Sequence, residues 1–186
     1  FDVMSGHIAR KMTTPTPISR GEFGIVGARR ILSLLRARNI PSTWFVPGFT
    51  IETYPDACAQ VVDGGHEIGH HGWTHVQPAL LEPAQEKSEM IRANDVIERL
   101  TGQKARGYRS PAWDLSPHTV EFLLEQGFYY ESSMMGHDYS PYRVRQGDVI
   151  ELQKPMVFGP ETPLIEIPVS WSQDDHPHFE MTAARD

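Results

Sequence analysis

Two histidines with the spacing of a metal-ligand pair give the strongest chemical signal in this sequence. His71 and His75 lie four residues apart in the segment 65–75. This separation points both imidazoles the same way, on one helical turn or in a tight loop. Two such nitrogens suit zinc or a similar divalent ion, with a carboxylate and a water completing the coordination. Because the chain contains nine histidines, one pair at this spacing is weak evidence by itself.

An arginine and an aspartate elsewhere could act at the same centre. Arg109 begins the sequence Arg-Ser-Pro-Ala-Trp-Asp, where a guanidinium can hold and polarise a carboxylate through a bidentate contact. A surface arginine beside a turn is the alternative. Asp2 stands at the expected end of a first strand, where it could be a general base or a third metal ligand. An ordinary strand-end cap is the alternative there.

Four residues are candidates for substrate contact. Pro111 and Trp113 belong to the Arg-Ser-Pro loop, and Trp171 and Asp175 follow the last expected strand. A tryptophan can line a binding groove, although core packing is its commoner role. Asp175 belongs to the cluster 174–178, Asp-Asp-His-Pro-His, which a solvated loop explains better than a metal site because of its proline and charge density.

The composition limits the classes of protein and of partner. A chain of 186 residues with 39% hydrophobic and 22% charged residues fits one globular domain, residues 1–186. A net charge of −7 without a basic stripe argues against nucleic acid, and no apolar run approaches the roughly 18 residues of a membrane span. Cys58 is the single cysteine, which excludes an intramolecular disulfide. We expect it to be a buried residue in a helix at 56–62.

Helical segments are predicted by apolar spacing and by their boundaries. Apolar residues at helical spacing predict helices at 27–38 and 83–100. A third helix, 117–126, is predicted by Ser116 as N-cap, Pro117 at the first position and Gly127 past the end.

Short strand-like runs alternate with these helices, as is typical of βαβ units in a parallel sheet. The predicted strands are 42–46, 66–69, 107–109, 128–131 and 164–167. The Gly- and Pro-containing segment 132–163 is expected to be an inserted loop with one hairpin. Because carboxyl strand ends form the active face of parallel α/β folds, we expect the candidate residues to converge there.

Taken together, these segments resemble the polysaccharide deacetylase family (the NodB-homology, carbohydrate esterase 4 group). That family carries an Asp-rich motif after its first strand, then a His-x-x-x-His motif, then an Arg-x-Pro motif. All three occur here in that order. The chain looks closest to the intracellular branch that includes peptidoglycan deacetylase-like proteins, allantoinase-like proteins and cyclic imide hydrolases. The branch-like stretches are 18–23, 43–48 and 165–168.

The resemblance implies a deformed (β/α) barrel of fewer than eight strands, incomplete in this chain, and a divalent ion, often zinc, held by one Asp and two His. His71 and His75 match the histidines, Asp2 matches the base, and Met4 stands where this branch places the metal-binding Asp. A thioether is a poor ligand for such an ion. Three interpretations remain: Asp2 itself ligates, His7 or another neighbour substitutes, or no metal is needed.

The resemblance also implies roles for residues that do not bind the metal. Arg109 matches the residue that orients the base, and the family's histidine acid falls beyond the end of this chain. The location implied is cytoplasmic and the expected assembly is a homo-oligomer, with no nucleic acid or membrane as partner.

The implied activity is hydrolysis of a non-peptide carbon–nitrogen bond. The first alternative is attack by metal-activated water on the amide carbonyl of an N-acetylated sugar. The second is opening of a cyclic amide, imide or ureide, with or without a metal. The third is a non-catalytic carbohydrate-binding domain that keeps the scaffold.

Overall fold

A computed structural model of the chain describes residues 1–176. Helices and strands alternate through most of this range. In chain order they are α1 (Ser5–Ala9), α2 (Pro15–Arg38), β1 (Thr43–Val46), α3 (Gly48–Thr53), α4 (Pro55–Asp63), β2 (Glu67–His70), α5 (Pro83–Thr101), β3 (Gly107–Tyr108), α6 (Thr119–Glu125), β4 (Tyr130–Glu131), β5 (Tyr142–Arg145) and β6 (Glu161–Glu166). Short 3-10 turns occupy Pro78–Leu80 and Pro111–Trp113.

The strands form one sheet in the order β1-β2-β3-β4-β6-β5. All neighbouring pairs are parallel except β5 with β6, which is antiparallel. The predicted α/β class is therefore confirmed, with six strands among the described residues. The five predicted strands are all present, and β5 is the addition. It lies in the segment 132–163, which also contains the antiparallel bridge between Val149 and Val157 at the place of the expected hairpin.

The predicted helices differ from the observed ones mainly at their starts. Helix α2 begins at Pro15 rather than at residue 27, because glycines interrupt the apolar spacing of its first half. One of them, Gly21, allows close packing against the start of the chain: a Cβ there would lie 2.6 Å from the Cα of Met4.

Helix α6 begins at Thr119 rather than at Pro117. The hydroxyl of Ser116 accepts the N–H of His118 and donates to Glu86. This pulls the two residues that follow Ser116 into a turn, so the helix starts later than its N-cap signal suggested. The strand expected to end at Asp2, outside the five runs predicted further along the chain, is absent. The backbone nitrogen of Phe1 donates to Phe45 O in β1, and the chain then turns into α1.

The core lies between the sheet and its helices. Val46, Ile68, Tyr108 and Leu164 contribute from the strands and are almost fully buried. Burying an aliphatic side chain of this size stabilises a fold by about 1.5–3 kcal/mol. Cys58 lies in α4 and is fully buried, as predicted, and burial raises the pKa of its thiol to about 11. Such a thiol is unreactive at neutral pH.

A close contact fixes the two-residue strand β3 against β4. Gly107 pairs with Tyr130 and Tyr108 pairs with Glu131. The ring of Tyr130 lies over Gly107, where any Cβ would overlap it. Glycine is therefore required at this position. Within the described part of the chain, no helix combines the length and the apolar character that crossing a membrane demands.

Candidate active site

Three predicted residues from distant parts of the sequence meet at the carboxyl end of β2. The ligand atoms of Asp2, His71 and His75 all lie within 4.8 Å of one another. Nε2 of His71 is 3.6 Å from Oδ1 of Asp2, and Nε2 of His75 is 3.4 Å from Oδ2. The expected convergence at the strand ends is therefore present in the structure.

The loop that carries both histidines is held by the start of α3. The N–H groups of Gly48 and Phe49 donate to the carbonyls of Gly72 and Trp73, at 3.1 and 3.0 Å. A Cβ on Gly48 would lie 2.7 Å from the ring of Trp73, so only glycine allows this approach. His75 takes a positive φ of 64°, an uncommon backbone conformation for a non-glycine residue and one that clusters at functional sites.

His71 has one ring nitrogen fixed and the other open. Its Nδ1–H donates to the backbone carbonyl of Arg109 at 2.5 Å, which leaves the lone pair of Nε2 facing Asp2. Burial lowers the pKa of His71 to about 3, and the charge of Asp2 only partly opposes this. A neutral imidazole with its second nitrogen held by a carbonyl is the usual state of a metal-binding histidine.

Asp2 is held by its backbone, and its carboxylate is free to bind an ion. The hydroxyl of Thr50 donates to the carbonyl of Asp2 at 2.8 Å, and Oδ1 is buried without a hydrogen-bond partner. Burial would raise the pKa of Asp2, and the imidazoles of His71 and His75 act in the opposite direction. A buried, unpaired carboxylate oxygen between two imidazole nitrogens fits a divalent cation.

Met4, which stands where the branch places its metal-binding Asp, does not face the ligand cluster. Val3 adopts a positive φ of 51°, and the chain turns so that Met4 is 6% exposed and packs against Gly21 of α2. Among the described residues, the ligand cluster contains Asp2 and the two histidines but not His7. The geometry thus favours Asp2 itself as the ligand among the interpretations left open.

Arg109 contacts a different partner from the one expected. Its guanidinium donates to the carbonyl and hydroxyl of Ser132, at 2.8 and 2.6 Å, and lies over the ring of Phe45. Within residues 1–176 it makes no ion pair with Asp2, so a direct orienting contact is not present. The reason is position: Arg109 follows β3, and its side chain points along the rim towards the end of β4.

The candidate substrate-binding residues of the Arg-Ser-Pro loop lie beside the cluster. Pro111 approaches within 3.1 Å of where a Cβ on Gly72 would lie, so it packs on the histidine loop. Ala112 and Trp113 have positive φ values of 55° and 56°. Two successive non-glycine residues in this conformation are strained, which is a further mark of a functional loop.

The two candidate tryptophans form a pair. The rings of Trp113 and Trp171 are 4.8 Å apart, and Trp171 is 55% exposed. Exposure argues against the core-packing alternative for Trp171. Asp175 is exposed, and the charge of its neighbour Asp174 acts on Arg109. Pro177 and His178, the rest of that cluster, lie outside the described residues.

Sequence reasoning missed a group of buried polar residues at the carboxyl ends of β4 and β6. Glu131 and Glu166, at the ends of β4 and β6, are fully buried, and Ser132 and Ser133 follow β4 directly. The available signal was an acidic residue at the end of each of two apolar strands, because a buried carboxylate requires partners.

The fold and the site together define an α/β protein with a candidate metal centre of one aspartate and two histidines at its carboxyl strand ends. The chain belongs to the polysaccharide deacetylase family, whose model matches residues 26–130.

Known relatives of the chain bear this out. The chain is 41% identical to the peptidoglycan deacetylase of Helicobacter pylori over 175 residues, which is 88% of this chain and 60% of that protein. A crystal structure from Mycobacterium smegmatis that is classed with the polysaccharide deacetylases has a TM-score of 0.76 and 32% identity, over 94% of this chain and 58% of that one. The crystal structure of Puue allantoinase has a TM-score of 0.71 and 28% identity, over 87% and 50%. The chain thus spans about 60% of the length of the first relative.

Proposed function

We propose that this protein is a metal-dependent N-deacetylase that hydrolyses the acetamide of an acetylated amino sugar in a polysaccharide. The observation that carries the proposal is the cluster of Asp2, His71 and His75. A buried carboxylate oxygen without a partner and an imidazole held in one tautomer support a divalent ion there. The similarity to a peptidoglycan deacetylase supports the substrate class.

The chain's own residues have distinct tasks in this proposal. Asp2, His71 and His75 would hold a divalent ion, and nitrogen and oxygen donors of this kind suit zinc.

 A bound divalent ion would lower the pKa of a coordinated water towards 7 and polarise the amide carbonyl. The carbonyl of Arg109 keeps Nε2 of His71 directed at the ion, and Thr50 keeps Asp2 in place. Attack on the amide would place negative charge on the carbonyl oxygen of the substrate. The N–H groups of Arg109 and Ser110 already donate to His70 O and to Ser133 Oγ, so neither is free to stabilise that charge.

The tryptophan pair gives the proposal a sugar-binding surface. Replacing Trp171 with alanine should raise KM for an acetylated oligosaccharide roughly 5- to 30-fold, as expected for the loss of about 1–2 kcal/mol of aromatic contact. The value of kcat should change less, because Trp171 is not a member of the metal cluster. Steady-state kinetics measures both. Tyr129→Ala is the matched control, since Tyr129 is 62% exposed and precedes β4 at the opposite end of the sheet. An unchanged KM in Trp171→Ala would remove this residue from substrate binding.

The decisive test of the function is a substrate comparison on the intact, zinc-loaded protein. We expect acetate release from acetylated chitooligosaccharides and peptidoglycan fragments, and no ring opening of allantoin or succinimide. Ring opening without acetate release would contradict the proposal and favour the second alternative, hydrolysis of a cyclic amide, which the similarity to an allantoinase supports. Binding of the oligosaccharide with no turnover of any of these compounds would favour the third, a carbohydrate-binding domain.

A further inference from the structure

Two buried carboxyl groups at the rim of the sheet have no role in the proposed chemistry. Glu131 ends β4 and Glu166 ends β6, and the two residues are directly paired in the parallel ladder. Paired residues of neighbouring strands point to the same face of a sheet. Both side chains are fully buried, so two adjacent negative charges would be strongly unfavourable.

The hydrogen bonds of the two carboxyl groups differ in one respect. The oxygens of Glu131 accept from the N–H and the hydroxyl of Ser133. Glu166 accepts the N–H of Met134 at 3.0 Å with Oε1, while its Oε2 is buried and receives no hydrogen bond within the described residues. An oxygen in that situation beside a second carboxylate is satisfied if it carries a proton and donates it.

The charges around the pair agree with a single proton. The guanidinium of Arg109 is the cation whose charge acts on both glutamates. Among the described residues, the phenols of Tyr142 on β5 and Tyr108 on β3 also face the pair and are neutral at physiological pH. The carboxylate of Asp174, beyond β6, acts on Arg109 as well, so a second negative charge within the pair would be still less favourable. One shared proton leaves one negative charge opposite one positive charge, whereas two ionised glutamates would leave an uncompensated buried charge.

The pair is connected to the candidate active site through the segment 132–134. Ser133, held by Glu131, accepts the N–H of Ser110 at 2.8 Å. Ser132 binds the guanidinium of Arg109 and donates to the carbonyl of Ile167. The carbonyl of Arg109 in turn binds His71. The two glutamates therefore sit beneath the loop that fixes a candidate metal ligand.

We infer that Glu131 and Glu166 share one proton, carried by Glu166, and that together they position the Arg-Ser-Pro loop against the segment 132–134. They are positioning residues, since neither contacts the metal cluster. The effect on catalysis rests on the proposed function, but the shared proton does not.

The direction of the pH dependence follows from the pair. Burial raises the pKa of Glu166 to about 10, with the neighbouring Glu131 adding to the effect. The native state therefore keeps a proton that the unfolded chain releases above the ordinary glutamate pKa. Stability is complete below that ordinary value and falls as the pH rises towards 10.

The test is thermal unfolding of the intact protein between pH 6 and 9.5, for the wild type and three variants. In Glu166→Gln the amide oxygen can accept from Met134 and the amide nitrogen can donate to Glu131 without needing a proton. Its Tm should therefore exceed that of the wild type by an amount that grows with pH. In Glu131→Gln one of the two Ser133 donors, the N–H or the hydroxyl, meets an amide NH2 instead of an oxygen, so Tm should be lower at every pH. Glu161→Gln, an exposed change on the same strand, should follow the wild type.

Activity provides the second readout. Glu166→Gln should keep kcat/KM within a few-fold of the wild type, while Glu131→Gln should lower it at least tenfold. A Tm difference between Glu166→Gln and the wild type that does not change with pH would overturn the shared proton. If instead the Tm pattern holds and no variant differs in activity, the positioning role is wrong. An inactive wild type with the expected Tm pattern would count against the proposed function alone.

Discussion

Replacing His71 with alanine should abolish bound metal and lower acetate release by about a hundredfold or more. His71 is 8% exposed and faces Asp2 with Nε2, so alanine removes one of the three candidate ligands. Loss of a metal-activated water is expected to cost roughly 3 kcal/mol or more in the barrier, and each 1.36 kcal/mol is about tenfold in rate. Metal content by elemental analysis and initial rates on an acetylated oligosaccharide measure the two effects.

Asp2→Asn tests the same centre without removing a side chain. The amide keeps the shape of the carboxylate but loses its charge, so metal affinity and activity should both fall. The matched controls are His137→Ala and Asp95→Asn, which alter exposed residues of the same types. Chelation should inactivate the wild type, and added zinc should restore it. Near-normal turnover in metal-free His71→Ala would remove the ion from the mechanism.

Replacing Gly48 with alanine should destabilise the fold and disturb the active site together. The new Cβ would lie 2.7 Å from the ring of Trp73 and 3.0 Å from Cα of Ala93 on α5. Overpacking of this kind costs about 1–3 kcal/mol. Because Trp73 lies between His71 and His75, its displacement should also lower activity. Denaturant unfolding gives the change in free energy, and the rate at saturating metal gives the change in function.

Gly27→Ala is the control for that change. A Cβ at Gly27 meets nothing within 4 Å, and an alanine inside a helix is favoured over glycine by about 0.5–1 kcal/mol. The control should therefore be slightly more stable than the wild type, with unchanged activity. Equal stability of Gly48→Ala and Gly27→Ala would show that the contact between Gly48 and Trp73 does not constrain the loop.

The sequence predicted most of the elements and the histidine pair because their signals are local, whereas Asp2 was linked to them through the order of motifs that resembles the family. Apolar strand-like runs and the four-residue spacing of His71 and His75 can be read from the sequence without knowing which segments pack together. Helix α3 was not predicted, because its start depends on Gly48 and Phe49 donating to carbonyls of the histidine loop. Only the folded chain brings those groups together.

Directions of side chains were harder to predict than positions. Arg109 lies at the expected rim, yet it binds Ser132, because the end of β4 presents a carbonyl and a hydroxyl nearer to it than Asp2. Asp2 was matched to the base, yet its carboxylate lies within ligand distance of both histidines. A turn with positive φ at Val3 decides which side chain faces the site, and nothing in the residue types around it signals that turn.

The contact between Gly107 and Tyr130 makes slippage between the two short strands costly. Moving β4 by one residue would bring its tyrosine ring against a residue that already has a large side chain, Tyr108. Side chains alternate in direction along a strand, so the same slip would turn Glu131 to the opposite face of the sheet. The absence of a side chain at Gly107, beneath the ring of Tyr130, therefore helps to fix the register that pairs Glu131 with Glu166.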